Sequence, residues 1–196
     1  MSRPSCSQCL RPLNNCICGC VHHVKHQTPI GILQHPSEQK QSKGTALLTH
    51  LCLENAKLWQ TEVIEEQRIE QWIARAPTFL LYPTQHSDPQ PPVMAEPDLS
   101  RLYPEFQVLI LDGTWRKTIK IMALNPILQD LPKIQLSSVP SSSYRIRKQK
   151  QEGLLSTIEA TAYLLQDLEP QNKEISFLLK AFEDFQQQLE QFRPQS

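Results

Sequence analysis

The chain has 196 residues, of which 39% are hydrophobic and 20% charged. This composition is typical of one folded domain with an appendage, and it excludes both intrinsic disorder and two large independent cores. The formal net charge is zero, but residues 101–150 carry nine Lys/Arg against three Asp/Glu, and residues 151–196 carry three against eight. We therefore expect one basic face, suited to an anionic partner such as RNA, and one acidic, solvated element.

Strand and helix patterns alternate along the chain. Apolar runs predict strands at residues 30–33, 79–82, 107–112 and 133–136. Helical periodicity predicts helices at residues 44–56, 65–76, 114–124, 154–167 and 173–193. The proline-rich stretch 86–97 indicates a loop. This alternation predicts an α/β fold with a mostly parallel sheet, in which ligands bind at the carboxyl ends of the strands.

Nothing in the sequence indicates a membrane or secreted protein. The apolar runs, such as residues 79–82, are far too short to cross a bilayer. The N-terminal residues contain no apolar segment of the kind found in signal peptides, so we expect a cytoplasmic location.

Five of the six cysteines lie within the first twenty residues. Their spacing, two short pairs of thiols, suits a structural tetrahedral zinc site with the ligands Cys6, Cys9, Cys16 and Cys18. Cys20, His22 or His23 could replace one of these ligands, and a disulfide, a redox role or unligated thiols are the alternatives. We therefore predict a zinc-binding head at residues 1–26, followed by one larger domain at residues 27–196.

Two strand ends carry candidate active-site residues. Asp112-Gly113-Thr114-Trp115 lies where a buried strand meets a helix, although an Asp before a Gly also fits a plain turn and Trp115 also fits core packing. Gln34-His35-Pro36 places His35 at another strand end, where a structural role is the alternative. The sequence has neither a G-x-G-x-x-G nor a Walker A pattern, which disfavours a Rossmann-type site or a P-loop.

Two later segments suggest binding to anions. Residues 143–150 combine four cations with Tyr144, which suits phosphate contact and base stacking, while a solvated basic loop is the alternative. Residues 153–160 predict a loop entering a helix, where free amides and hydroxyls could hold a carboxylate or a ribose. A simple helix N-cap with Glu159 in the first turn is the alternative.

Taken in order, these motifs closely resemble the DTW-domain family of tRNA-uridine aminocarboxypropyltransferases, whose Asp-x-Thr-Trp signature is present at residues 112–115. The resemblance extends over the Cys-rich head and the segments 34–36, 82–84, 144–147 and 156–160, and it covers the chain to about residue 168. It implies a SPOUT-like fold with a trefoil knot that binds S-adenosylmethionine (SAM). The knot would be built from the loops after Tyr82, after Leu111 and before Ser156. Composition and periodicity by themselves never indicate a knot.

The resemblance also implies an activity. The protein would transfer the 3-amino-3-carboxypropyl group of SAM to N3 of a uridine in tRNA, with the variable loop as the expected target and methylthioadenosine as the by-product. Asp112 would be the catalytic residue. SAM would be bound by Tyr82, Pro83, Thr84, Leu111, Gly113, Thr114, Trp115, Leu155, Ser156 and Thr157. RNA would be bound by His35, Lys117, Tyr144, Arg145, Arg147 and Lys148.

Three alternatives to this activity stay open at the level of sequence. The same fold could methylate RNA from SAM, and a related branch acts on ribosomal RNA. A zinc-knuckle module could bind RNA without catalysis.

We expect a monomer, because the zinc head could supply the RNA contact that a partner subunit provides elsewhere.

Overall fold

The computed structural model describes residues 4–64, 67–82, 93–96, 99–138, 142–144 and 155–191. Its strands are β1 (Ile30–Gln34), β2 (Ala56–Gln60), β3 (Thr78–Leu81), β4 (Val93–Met94), β5 (Gln107–Asp112) and β6 (Lys133–Gln135). Its α-helices are α1 (Ala46–Cys52), α2 (Gln67–Arg75), α3 (Leu99–Leu102), α4 (Trp115–Leu124), α5 (Pro126–Gln129), α6 (Thr157–Leu168) and α7 (Ser176–Gln191). Within these ranges no helix has the length and apolar character that a bilayer span requires.

The strands form one sheet in the order β2–β1–β5–β3–β6–β4, and each described pair of neighbours is parallel. The predicted α/β fold with a mostly parallel sheet is therefore confirmed. Because the strands run in one direction, their carboxyl ends meet at one edge. Gln60, Gln34 and Asp112 lie side by side there, in register on β2, β1 and β5.

Helices cover both faces of the sheet. On one face, Ile32 and Ile110 belong to a core shared with α1, α6 and α7. On the other face, Leu33 and Leu109 belong to a core shared with α2, α4 and α5. Since the central strands are buried on both faces, their sequences are continuous apolar runs, which is why periodicity identifies them.

Gly31 allows one helix to pack unusually close to β1. A Cβ at this position would lie 2.8 Å from the ring of Trp72 on α2, so any larger residue would push the helix away. Trp72 in turn meets Trp59 of β2 edge-on, with ring centroids 5.3 Å apart. The two indoles join α2 to the edge of the sheet.

The sequence patterns do not predict two of the strands, β2 and β4. The predicted helix at residues 44–56 ends at Cys52, and β2 begins at Ala56. Because β2 is an edge strand with only Ala56 fully buried, its sequence contains no long apolar run. The short β4 lies within the stretch predicted as loop.

The trefoil knot stays a prediction. The loops that would form it include residues 83–92 and 145–154, which lie outside the described residues. The division into a head at residues 1–26 and a domain at residues 27–196 also stays a prediction. Cys9, Ile17 and Val24 are buried in the same core as α1, α6 and α7.

Candidate active site and metal centre

Asp112 is the last residue of β5 and is held from two sides. Gln34 Nε2 donates to Asp112 Oδ2 at 2.8 Å, and the Thr157 hydroxyl donates to Asp112 Oδ1. Gln60 Nε2 donates to Gln34 Oε1 at 2.8 Å, which turns the NH₂ of Gln34 towards Asp112. Hydrogen-bonded side chains from β2, β1 and α6 therefore fix the orientation of this carboxylate.

Two opposing effects act on the pKa of Asp112. Burial raises the pKa of Asp112 above its ordinary value, because a buried carboxylate loses hydration. The hydrogen bonds from Thr157 and Gln34 lower the same pKa by stabilising the ionised form. The pKa of Asp112 is raised overall, and its two hydrogen-bond donors still stabilise the charged form. A proton acceptor requires both properties.

A pocket of about 200 Å³ opens beside Asp112 at the carboxyl edge of the sheet. Its wall comes from the loop before α1, the β5–α4 junction and the start of α6. The lining residues are Glu38, Gln41, Lys43, Gly44, Thr45, Asp112, Gly113, Thr114, Tyr144, Leu155, Ser156 and Thr157. The structure thus brings the 112–114 and 155–157 segments, which are far apart in sequence, into one site.

Glu159 organises the α6 side of this pocket. Its fully buried carboxylate accepts hydrogen bonds from the Ser143 N–H at 2.7 Å and from the Ser156 N–H at 2.8 Å. Ser156 and Glu159 form a reciprocal capping box, so the N-cap interpretation of this segment is confirmed. The hydroxyl of Ser156 also donates to Glu159 at 2.6 Å. The hydroxyls of Ser156 and Thr157 are therefore both engaged within the protein.

Two aromatic residues stack beside the β5–α4 junction. The rings of Tyr82 and Trp115 are 5.6 Å apart between centroids, with 17° between their planes. Tyr82 is buried, whereas Trp115 is 49% exposed, so Trp115 is not a core residue. Leu111, one residue before Asp112, packs against the core of α2 and α4. A half-exposed indole offers a stacking surface for a planar ligand.

His35 lies next to Asp112 but is turned towards other partners. Its backbone N–H donates to the Asp112 carbonyl at 2.9 Å. On the ring, Nε2 lies 2.5 Å from Glu62 Oε1, and Nδ1 accepts from the Ser37 N–H at 3.2 Å. Since Nδ1 accepts, Nε2 carries the proton and faces Glu62. The ring is 8% exposed and packs at the rim of the site.

Lys117 and Tyr144 are also engaged within the protein. Lys117 Nζ pairs with Glu38 Oε1 at 2.5 Å on the rim of the pocket. Tyr144 is buried, and its hydroxyl donates to the Lys43 carbonyl at 2.5 Å. The remaining predicted ligand-binding residues lie outside the described residues. These are Pro83, Thr84, Arg145, Arg147 and Lys148.

The four head cysteines converge on one point. The sulfurs of Cys6, Cys9, Cys16 and Cys18 all lie within 4.8 Å of one another. Two of the sulfur pairs are 3.7 Å apart, close to the edge of about 3.8 Å for a tetrahedron with 2.3 Å zinc–sulfur bonds. All six cysteines of the chain are free thiols, so the disulfide alternative is wrong here. This cluster could hold a tetrahedral metal ion.

The pKa of one thiol in the cluster, Cys6, favours metal binding. Backbone N–H groups of Cys9 and Gln8 lower the pKa of Cys6 to about 6. Metal ions bind the thiolate form, so a lowered pKa favours occupancy at neutral pH.

Two other candidate ligands of the head, Cys20 and His22, face α7 instead. Cys20 Sγ donates to Gln188 Oε1 at 2.9 Å, and Gln188 Nε2 donates to the Cys16 carbonyl at 2.7 Å. His22 Nε2 lies 2.8 Å from Asp184 Oδ2. Within the described residues, the four-sulfur cluster thus includes neither Cys20 nor His22.

Sequence reasoning missed several residues of the site. Gln60 was missed because it ends the unpredicted strand β2. Lys43, in a polar stretch, and Thr45, at the start of a predicted helix, were missed because neither belongs to a motif, although both line the pocket. Glu62 and Glu38 were missed because a single acid in a loop gives no spacing signal, although they bind His35 and Lys117.

The protein is an α/β protein with a parallel sheet, a pocket beside Asp112 at the carboxyl edge of that sheet, and a four-cysteine cluster that could hold a metal ion. The chain belongs to the DTW-domain family, whose profile matches residues 3–190.

Several curated relatives share this domain. The chain is 35% identical over 175 residues to the tRNA-uridine aminocarboxypropyltransferase 2 of Drosophila melanogaster, covering 85% of this chain and 67% of the relative. It is 30% identical over 177 residues to the protein of the same name from Macaca fascicularis, covering 87% of this chain and 58% of that relative. It is 24% identical over 203 residues to tRNA-uridine aminocarboxypropyltransferase A of Arabidopsis thaliana, covering 88% of this chain and 75% of the relative. No solved structure matches the chain.

Proposed function

We propose that this protein is a tRNA-uridine aminocarboxypropyltransferase. It would transfer the 3-amino-3-carboxypropyl group of SAM to N3 of a uridine in tRNA and release methylthioadenosine. The observation that carries the proposal is Asp112, a carboxylate that two hydrogen bonds orient in the wall of a pocket at the carboxyl edge of the sheet. The curated relatives, which bear this activity in their names, support it.

SAM supplies a carbon that its sulfonium has already activated, so the protein needs to aim that carbon and to prepare the nucleophile. Uracil N3 carries a proton and attacks poorly until that proton is removed. In this proposal Asp112 accepts it: the raised pKa makes the carboxylate more basic, and its two donors orient it and stabilise its charged form. Transfer of the aminocarboxypropyl group, and not of the methyl group, then depends on which carbon faces the base.

The pocket residues fit this task. The proposal places the amino-acid part of SAM beside Asp112, against the Gly113–Thr114 backbone and the first turn of α6 at residues 155–157. Because the hydroxyls of Ser156 and Thr157 and the N–H of Ser156 are engaged, the part of this segment in binding SAM would fall to the Thr157 N–H at the start of α6. Trp115, stacked on Tyr82, would hold the adenine or the flipped uracil.

The RNA contacts come from two groups of residues. Lys117 and His35 lie at the rim of the pocket. Arg145, Arg147 and Lys148 belong to the predicted RNA-binding set and lie outside the described residues. The cytoplasmic location, the monomeric state and the variable-loop target predicted from the sequence are part of the same proposal.

The metal of the head would be structural zinc. Cys6, Cys9, Cys16 and Cys18 offer four thiolates at the spacing of a closed tetrahedral site, and such a site leaves no position for substrate. Zinc would stabilise the head and take no part in the transfer.

Mass spectrometry of nucleosides tests the proposal. Unmodified tRNA is incubated with the protein and SAM, beside the Asp112→Asn variant. We expect uridine to gain one aminocarboxypropyl group and the variant to lose this product. Because Asn has nearly the same shape as Asp and removes a partly desolvated charge, thermal unfolding near pH 7 should show no loss of stability.

Other products would contradict the proposal. A gain of one methyl group would identify an RNA methyltransferase on the same fold. Binding of tRNA without any product, for both proteins, would favour a ribosomal RNA substrate or a non-catalytic binding module.

A further inference from the structure

A second pocket, of about 530 Å³, lies at the β2 edge of the sheet, away from Asp112. Its volume is in the range that holds small ligands or parts of larger ones, roughly 300–1,000 Å³. No acidic residue is found among its described lining residues. The pocket instead combines cations with aromatic rings, and the residues that matter are His50, Lys57, Trp59, Arg68, Trp72 and Arg75.

Helix α2 supplies two of the cations from its solvent face. Arg68 and Arg75 are seven residues apart, two helical turns, so they lie on one side of α2. Both side chains are exposed, whereas Ile69 of the same helix is buried. In the described part of the chain neither arginine forms an ion pair.

Strand β2 supplies a third cation and a ring. Lys57 and Trp59 are two residues apart and therefore project from the same face of the strand. Their partners on β1 are Gly31 and Leu33, and the Trp72 ring lies over Gly31, so this is the face that α2 covers. Trp59 is half-buried and is held edge-on by Trp72, with 65° between the rings.

His50 of α1 adds an unsatisfied ring nitrogen. Its Nδ1 is buried and has no hydrogen-bond partner among the described residues. Burial and the charge of Lys57 lower the pKa of His50, so the imidazole is neutral near pH 7. A neutral imidazole adds no negative charge to the cationic lining of this pocket.

We infer that this pocket binds an RNA strand, with backbone phosphates on Lys57, Arg68 and Arg75 and one base against Trp59. Arginine binds phosphate oxygens through paired N–H donors, and tryptophan faces stack on any base. This inference rests on the proposed function for the identity of the RNA as tRNA. The pocket is a contact additional to the predicted basic segment at residues 143–150.

The position of the pocket suits a strand that also reaches Asp112. Gln60, which ends β2, is in register with Gln34, which is in register with Asp112. Two strand spacings separate Gln60 from Asp112, about 10 Å. Lys57 lies three residues further down β2, another 10 Å or so. An RNA strand with its uridine at Asp112 can therefore continue over the sheet edge into this pocket.

Binding measurements at several salt concentrations test the inference. Fluorescence anisotropy with labelled tRNA compares the wild type, the Arg68→Gln/Arg75→Gln variant and the Lys25→Gln/Lys173→Gln control. The control removes two exposed cations from the side of the molecule where the head meets α7. Thermal unfolding checks that all three proteins fold equally well.

We expect the arginine variant to bind tRNA roughly 10- to 100-fold more weakly at about 0.1 M salt, because each lost phosphate contact removes released counterions. The slope of log K against log salt should fall by about two, and the control should change neither quantity. Equal effects of the two variants, or an unchanged slope, would overturn the inference.

A second arm separates RNA from a free nucleotide. Uridine monophosphate and inorganic phosphate are titrated while the fluorescence of the tryptophans is followed. Saturable micromolar binding of uridine monophosphate, with tRNA affinity unchanged in the arginine variant, would make this a small-molecule site and overturn the RNA assignment.

The readout is independent of catalysis. If the arginine variant loses tRNA affinity but no transfer product forms with any protein, the RNA surface stands and the proposed reaction fails. If product forms and tRNA affinity does not depend on the arginines, the reaction stands and this inference fails.

Discussion

Gln34 and Asp112 face each other across the central β1–β5 pair, and the amide of Gln34 donates to the carboxylate at 2.8 Å. The amide can serve in this way because Gln60 holds its oxygen. With Thr157 on the second oxygen, Asp112 has two donors and a defined direction. Several predictions about the chemistry depend on this arrangement.

Thr157→Val should shift the pH dependence of catalysis. The Thr157 hydrogen bond lowers the pKa of Asp112, so its loss raises a pKa that burial has already raised. The base form then exists only at higher pH, and the acid limb of kcat/KM should move to higher pH. A pH–rate profile on tRNA measures this shift.

Thr161→Val is the matched control for the pH experiment. Thr161 lies one turn further along α6, and its hydroxyl donates only to the Thr157 carbonyl. Its loss should leave the acid limb in place. Identical profiles for the two valine variants would show that Asp112 does not titrate in the catalytic step.

Trp115→Leu should impair substrate use without unfolding the protein. Trp115 is half exposed, so its loss should change the free energy of unfolding by less than about 1 kcal/mol. Loss of one base-stacking surface should lower kcat/KM by about 10- to 100-fold. Ile119→Ala, another exposed apolar residue of α4, is the control and should retain activity. Normal activity of Trp115→Leu would remove this residue from the binding site.

Glu159→Gln should destabilise the protein and weaken SAM binding. The carboxylate receives hydrogen bonds from the Ser142–Ser143 segment and from Ser156, so loss of its charge should cost about 1–3 kcal/mol of unfolding free energy. Denaturant unfolding and SAM titration measure the two effects. Asp167→Asn, on an exposed hydrogen bond of the same helix, should cost less than about 1 kcal/mol. A loss of stability in Asp167→Asn as large as that in Glu159→Gln would contradict the special role of the buried carboxylate.

Elemental analysis should find about one zinc per chain, as expected for a single Cys₄ site. Cys9→Ser should lose the metal and lower the unfolding temperature, because Cys9 is both a cluster member and buried. Cys20→Ser should keep the metal, since Cys20 bonds to Gln188 outside the cluster. Loss of zinc from Cys20→Ser would place Cys20 among the ligands.

The sequence predicts the central architecture well, for a physical reason. β1 and β5 are buried on both faces, so their apolar runs stand out from the surrounding chain. The apolar stripe of the last helix is also visible, and Leu178, Phe182 and Phe185 are fully buried. Edge strands carry no such signal, and β2 is therefore missed together with Gln60.

The candidate site is predicted in part. Asp112 and the start of α6 are identified because each lies at a junction of two elements, where side chains reach the edge of the sheet. The links between them were not predicted, because Gln60, Gln34 and Thr157 meet only through the strand order. Sequence spacing carries no information about the order of strands in a sheet.

The contact between the head and α7 has a consequence for how the protein is made. Cys20 and Gln188 are 168 residues apart in the chain, yet they touch. At about 5–20 residues per second, a ribosome takes roughly ten to thirty seconds to synthesise that interval. During this time the cysteines are already outside the ribosome while their helical partner is not. Early capture of a metal ion by Cys6, Cys9, Cys16 and Cys18 would protect these four thiols from oxidation during the interval before α7 is synthesised.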